Sequence, residues 1–199
     1  MDHADHVRLL RDGVLSGDAR GERSEAGLIG FWADLGAGEG AFTLALADLV
    51  AEGSTITAVD RDAAALRDLE RAFARFARGR EAPRVTTKRG DFTEDQGLGT
   101  LDGIVMANSL HFVKDKAHVL ARVHAALRTG GRLLLVEYDI DRGNDWVPYP
   151  LSFETWKGTA TASGFAEPTL LATVPSRFLR RMYSSLALAR DVKPTGAEV

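Results

Sequence analysis

Apolar and polar positions along this chain follow two habits. Five short runs have the character of buried strands. They are LIGFWAD (28–34), STITAVD (54–60), RVTTKRGD (84–91), DGIVMAN (102–108) and GRLLLVEYD (131–139). Between most of them apolar residues return every three or four positions, as on one side of a helix. The helical stretches are GAFTLALADLVA (40–51), DAAALRDLERAFARFARG (62–79) and KDKAHVLARVHAALRTGG (114–131). In the second, Ala65, Leu69, Phe73 and Phe76 form the apolar stripe. The third is expected to stop at a Gly130-Gly131 C-terminal cap.

Strands that alternate with helices imply right-handed crossovers and a parallel sheet covered on both faces. A proline-bearing loop, RGNDWVPYP, follows the fifth strand, and then a helix over LSFETWKGTATASGF. Two further strand-like runs, TLLATV (169–174) and RRMYSSLALA (180–189), are separated only by PSRFL. That is too short for a helical crossover, so the pair should be antiparallel. At the other end, HVRLLRDGV reads as a short helix followed by a polar stretch to about Ala26. Two roles fit it equally: a cap on the open end of the sheet, or a loosely held leader. The tail DVKPTGAEV has no pattern of its own.

Composition narrows the picture. A chain of 199 residues, 45% hydrophobic and 27% charged, is expected to form one soluble domain. Its net charge of −3 offers no global attraction to nucleic acid or to an anionic membrane. The absence of cysteine removes disulfides, zinc-thiolate sites and thiol nucleophiles. With no apolar leader at the N-terminus and no run of membrane-spanning length, a cytoplasmic location is expected.

Candidate chemistry concentrates at the strand ends. FWADLGAGEGAF packs Gly36, Gly38 and Gly40 directly behind the first strand. A glycine turn there lets a ligand approach the backbone closely, at the edge where open parallel sheets bind ligands. Gly36, Gly38 and Ala41 also satisfy G-x-G-x-x-A, the relaxed dinucleotide fingerprint. Asp34 and Glu39 argue against a pyrophosphate, which a carboxylate at 4 Å would oppose by roughly 1 to 4 kcal/mol. An ammonium or sulfonium would be favoured instead, and S-adenosylmethionine carries both. Asp60 ends the second strand, where an acid can accept from ribose hydroxyls. Asp91 and Phe92 follow Gly90 after the third, suited to an adenine amino group and ring. Asn108 ends the fourth strand and could offer its amide or backbone to the same ligand.

With these residues in place the sequence resembles the class I S-adenosylmethionine-dependent methyltransferases. WADLGAGEG resembles the family's first motif, AVDRD its second, RGDF its third, MANSLHFV its fourth, and GGRLLLVEYD its fifth-strand region. The resemblance covers roughly residues 28–190 and is closest to small members that act on small molecules. It implies an α/β fold, one doubly wound Rossmann-like domain with a seven-stranded, mostly parallel sheet. The implied strand order is 3-2-1-4-5-7-6, with strand 7 antiparallel. Residues 1–27 would then be a capping segment and 191–199 a loose tail.

The resemblance also assigns roles. Gly36, Ala37, Gly38 and Gly40 would contact the methionyl part, with Asp34 near its amino group. Asp60 would bind the ribose and Asp91 and Phe92 would meet the adenine, with Arg61 and Gly90 also among the cofactor-binding residues. Asn108 and Ser109 would line the cofactor beside the transferred methyl. Family patterns that this chain departs from are informative too. Asn108 is followed by Ser-Leu-His rather than Pro-Pro and an aromatic, which argues against a flipped base as acceptor. The double-glutamate loop of arginine methyltransferases and a catechol-type aspartate cluster are missing, and the lack of cysteine argues against arsenic.

Methyl transfer from a sulfonium needs the nucleophile held at near-attack distance in a dry site, and a base only where the acceptor must lose a proton. His111, three residues beyond Asn108, is the candidate base. Glu137, Tyr138 and Asp139 end the fifth strand and are candidates to face the acceptor, with Trp146 and Tyr149 as an aromatic wall over it. No metal is expected: His118 and His124 stand six apart on a helix and do not share a face, and His3 and His6 lie near the N-terminus. Arg67, Arg71, Arg75 and Arg78 form a stripe along one helical face. Its expected role is a solvated face partly paired with Asp68 and Glu70, not RNA binding. The expected activity is therefore metal-independent methylation of a small molecule by S-adenosylmethionine. A single-domain NAD(P) oxidoreductase and a non-catalytic module of the same fold are the alternatives.

Overall fold

A computed structural model describes residues 1–16, 29–176 and 178–191. Its seven strands are β1 (Phe31–Leu35), β2 (Thr55–Asp60), β3 (Arg84–Arg89), β4 (Leu101–Ala107), β5 (Leu127–Tyr138), β6 (Thr169–Pro175) and β7 (Arg181–Leu188). They form one sheet in the order β3-β2-β1-β4-β5-β7-β6. The first five are parallel, and β7 runs antiparallel to both β5 and β6. Strand order reverses between β1 and β4, which opens a crevice at their carboxyl ends.

Helices cover both faces of this sheet, as its apolar runs require. α1 (His3–Leu15) and α2 (Ala41–Ala47) pack on one face, where Leu10 and Leu46 meet Trp32, Ile56, Val105 and Leu134. Phe73 of α3 (Ala63–Phe76) joins the same cluster. α4 (Lys116–Ala126) and α5 (Phe153–Ala162) close the other face, where Val123 and Trp156 meet Ile104, Met106, Leu133 and Leu135. Consecutive residues 133–136 of β5 thus serve opposite cores, which is why LLLV is an unbroken apolar run. None of the helices among the described residues is long and apolar enough to cross a membrane.

Three elements differ from the sequence expectation. α4 ends at Ala126, and the chain passes at once into β5, so Gly130-Gly131 is not a helix cap. Leu127 pairs with Leu101, and the Gly130 N–H and Gly131 carbonyl are bonded to Ala189. Tertiary pairing of the strand overrides the helical spacing there. α2 is also shorter than its apolar pattern, giving way to turns after Ala47. α1 begins earlier than HVRLLRDGV and lies on the face of the sheet over β5, β7 and β6 rather than at its open end. There, the helix approaches so closely that a Cβ on Gly13 would overlap Leu134. The polar stretch after α1, residue 28 of the first expected strand and the tail from 192 lie outside the described residues.

Candidate functional site

The crevice is a cleft of about 340 Å³ at the carboxyl ends of the parallel strands. Each wall comes from a different connection. Gly36 follows β1, Asp60 to Asp62 follow β2, Gly90 to Thr93 follow β3, and Asn108, Ser109, Phe112 and Val113 follow β4. The glycine turn is pinned from two sides. Gly36 and Ala37 donate their N–H groups to the Val59 carbonyl at 2.9 and 3.0 Å, and Gly38 donates to Asp60 Oδ2 at 2.8 Å. Gly36 has a φ of 83°, and a Cβ there would stand 2.4 Å from Ser109 Cβ, so only glycine fits. Ser109 itself donates to the Leu35 carbonyl at 2.8 Å.

Acidic side chains dominate the lining. Asp60, Asp62 and Asp91 face the cleft against one cation, Arg61. Asp60 Oδ1 also accepts the Asp62 N–H at 2.8 Å, and Asp62 caps α3 through the N–H groups of Ala64 and Ala65. Asp91 accepts from the backbone and hydroxyl of Thr93, which together hold its carboxyl below the usual carboxylate range. Asn108 is in the left-handed region at φ 54°, and its Oδ1 is buried without a hydrogen-bond partner among the described residues.

Asp34 is not in the cleft wall. It is fully buried beneath the turn, where Thr43 donates to Oδ2 at 2.6 Å. Burial pushes its carboxyl up to about 7, the Thr43 hydrogen bond opposes this, and the neighbouring Asp60 adds to the rise. Glu39 is exposed on the turn, and Gly40 is buried as the N-cap of α2. The negative field expected from Asp34 and Glu39 is therefore supplied to the cleft mainly by Asp60, Asp62 and Asp91.

Beyond Asn108, a single 3-10 turn (Leu110–Phe112) buries His111 and leaves Phe112 exposed in the cleft wall. Glu137, fully buried near the end of β5, holds His111 twice. Its Oε1 accepts the His111 N–H at 3.1 Å, and Oε2 lies 2.8 Å from Nδ1. An ionised carboxylate can only accept, so against it Nδ1 is the donor, and in the neutral ring Nε2 is then the nitrogen with the lone pair. The sequence carried a signal that Glu137 needs a partner, though not which one: a glutamate beside the apolar run LLLV must be bonded where it is buried. Tyr138 packs 5.9 Å from the His111 ring, and its hydroxyl is pushed up by burial and by Glu137.

The other expected groups fall elsewhere. Trp146 is 74% exposed and makes no ring contact among the described residues, so it does not close a wall over His111. Tyr149 is tied to the turn by its N–H to the His111 carbonyl at 2.9 Å. His124 bonds Gly164 and packs on Phe165, His118 accepts from Arg122, and His6 packs against Phe42. On the arginine stripe, Arg71 pairs with Asp68, while Glu70 accepts from Thr87. Among the described residues no group of three His, Asp or Glu is placed to hold a metal ion.

Residues 33–133 match the family model described as a methyltransferase domain. Among solved structures, the arsenic(III) S-adenosylmethionine methyltransferase of Chlamydomonas reinhardtii is 22% identical with a TM-score of 0.65. That match covers 81% of this chain and 64% of the algal one. The YcgJ protein of Bacillus subtilis superposes over 95% of this chain and 100% of its own, with a TM-score of 0.70 and 13% identity. Human N-acetylserotonin methyltransferase, in complex with S-adenosylmethionine, is 21% identical with a TM-score of 0.59, covering 81% of this chain and 48% of the human one. The chain thus spans about two thirds of the algal enzyme and half of the human one, and at these identities the likeness is one of fold. No curated protein matches the chain.

Proposed function

The chain belongs to the methyltransferase-domain family, and we propose that it moves a methyl group from S-adenosylmethionine to a small molecule without a metal ion. The observation that carries this is the acidic cleft at the point where strand order reverses, with Asp60, Asp62 and Asp91 in its wall. A cleft of that charge suits a ligand bearing an ammonium and a sulfonium and disfavours a pyrophosphate. Asn108 Oδ1, a buried acceptor without a partner among the described residues, suits a donor-rich ligand in the same place.

The bound donor would supply an electrophilic methyl on a positively charged sulfur. Gly36, Ala37 and Gly38 would pass its methionyl part, and Asp60 retains lone pairs on both oxygens for ribose hydroxyls beside Arg61. Gly90, Asp91 and Phe92 would meet the adenine, while Asn108 and Ser109 would lie beside the methyl. On the acceptor side, Nε2 of His111 would take the proton, its orientation fixed by Glu137. A buried Asp34 keeps a support role beneath the turn. The chain has no cysteine, so its own residues offer trivalent arsenic no thiolate.

Calorimetric titration with S-adenosylmethionine, S-adenosylhomocysteine and NADH tests the reading. Binding of the first two without the third is expected. NADH binding alone would overturn it in favour of a dinucleotide enzyme.

A further inference from the structure

The acceptor side of the cleft carries a feature that methyl-donor binding does not require. β7 returns antiparallel to β5, with Met182 opposite Tyr138, so the β6–β7 hairpin tip lies at the same end of the sheet as the cleft. Phe178 on that tip is 51% exposed, and its ring centroid is 5.9 Å from that of Tyr138. Tyr138 is 5.9 Å from His111, and His111 is 4.3 Å from Phe112, which is 57% exposed and lines the cleft. Four rings thus run in series from the cleft wall to the hairpin tip, two of them with half their surface in water. Large exposed rings grouped at one mouth mark a binding surface more often than a packing remnant.

Part of the charge around this series is engaged within the protein, while Lys114 and Arg180 stand exposed beside it. Arg181 pairs with Asp139 at 2.6 Å, and Glu137 is held by His111. The Lys116 ammonium donates to the carbonyls of Val113 and Tyr149. What the series itself offers is ring faces, which recognise a flat aromatic body. His111, meanwhile, is arranged as a base, which only an acceptor with a removable proton would use.

We infer that the acceptor is an aromatic hydroxyl compound, a phenol or naphthol, laid along Phe112, Tyr138 and Phe178 with its hydroxyl toward His111. The inference rests on the methyltransferase reading above. In the transfer, the hydroxyl proton passes to Nε2 of His111 while an oxygen lone pair forms the O–CH3 bond. The S–CH3 bond breaks with its electron pair left on sulfur, the sulfonium becomes a neutral thioether, and His111 later returns the proton to water.

The test is titration of the full chain, saturated with S-adenosylhomocysteine, by 2-naphthol and by its saturated counterpart, decahydro-2-naphthol. 2-Naphthol should bind at least roughly tenfold tighter than the saturated alcohol, as expected when ring faces and not area alone are read. Phe178→Ala should weaken 2-naphthol by roughly fivefold and Phe178→Tyr should restore it, with S-adenosylhomocysteine affinity unchanged in both. Phe178 stands half in water on a hairpin tip, so these variants keep the fold. Equal affinity for the two alcohols, no binding of 2-naphthol, or indifference to Phe178→Ala would overturn the proposal. Failure of S-adenosylhomocysteine to bind at all would instead overturn the methyltransferase reading beneath it.

Discussion

Asp60 closes the glycine turn onto the second strand: its Oδ2 accepts the Gly38 N–H at 2.8 Å while Oδ1 accepts the N–H of Asp62 at the same distance. One carboxylate thereby shapes the turn and remains available to a ligand. Asp60→Ala strands two backbone donors and removes the expected ribose acceptor. S-adenosylhomocysteine affinity should fall roughly a hundredfold, the scale of two lost hydrogen bonds to a charged group. Asp60→Asn, which keeps one accepting oxygen, should lose roughly tenfold. Calorimetry on both variants decides the matter, and affinity within twofold of the parent for Asp60→Ala would sink the assignment.

Gly36 and Gly38 should fail in different ways when replaced. A Cβ at Gly36 meets Ser109 at 2.4 Å with φ at 83°, so Gly36→Ala combines left-handed strain with an overlap. It should cost roughly 2 to 5 kcal/mol of stability. At Gly38, with φ 52°, no protein atom lies within 4 Å of the new Cβ, leaving only strain of about 1 kcal/mol. Gly38→Ala should therefore melt within a few degrees of the parent yet bind S-adenosylhomocysteine at least roughly tenfold more weakly, because the expected methionyl path crosses that Cβ. Thermal melts and titrations on the same samples separate the two. A Gly38→Ala protein with undiminished affinity would place the ligand elsewhere.

How far these features could be read in the sequence depended on the physics behind each. The parallel sheet and the carboxyl-end location of the cleft follow from strand-like runs separated by helical spacing, a pattern local to each segment, whereas the strand order was legible only through the family resemblance. The end of α4 did not follow, because the switch at Leu127 is set by pairing with Leu101 across the sheet. Asp34 was expected beside the ligand, but β1 is buried on both faces and its sequence does not say which side a residue near its end will take. Glu137 was legible as a buried charge in need of a partner, and not as the partner of His111, twenty-six residues away. Phe178 is brought against Tyr138 by the β5–β7 register, a long-range fact with no local signature.

Asp34 makes stability depend on pH with an unusual sign. Its carboxyl stays protonated to about 7 in the fold but ionises near its ordinary 3.8 once unfolded. Between those values the folded state holds more protons, so this contribution to stability falls as pH rises. It levels off above about 7, by which point the shift amounts to about 4 kcal/mol. Asp34→Asn still accepts from Thr43 but carries amide N–H groups that cost roughly 1 to 3 kcal/mol if left unpaired. The variant should therefore be less stable than the parent at pH 4 and more stable than it at pH 8. Melting curves from pH 4 to 8 check this, and parallel pH dependence in parent and variant would rule it out.

The Glu137–His111 pair offers a test of base catalysis that a merely structural role would not pass. In the parent, a carboxylate oxygen 2.8 Å from Nδ1 fixes the proton there and leaves Nε2 basic. Glu137→Gln keeps size and burial, and it can present its amide N–H to Nδ1. That reverses the tautomer and places the proton on Nε2, where it cannot accept another. For a phenolic acceptor, kcat should fall by roughly 10²- to 10⁴-fold, the usual worth of a positioned base. S-adenosylhomocysteine affinity should stay within twofold, since neither residue contacts the expected donor. The defect should also shrink as pH rises, because a phenol ionises unaided near pH 10 and then needs no base. A damaged fold would lower kcat by the same factor at every pH and weaken the donor as well. A deficit that narrows toward pH 10 with donor binding intact identifies His111 as the base, and a pH-independent deficit removes it from the chemistry.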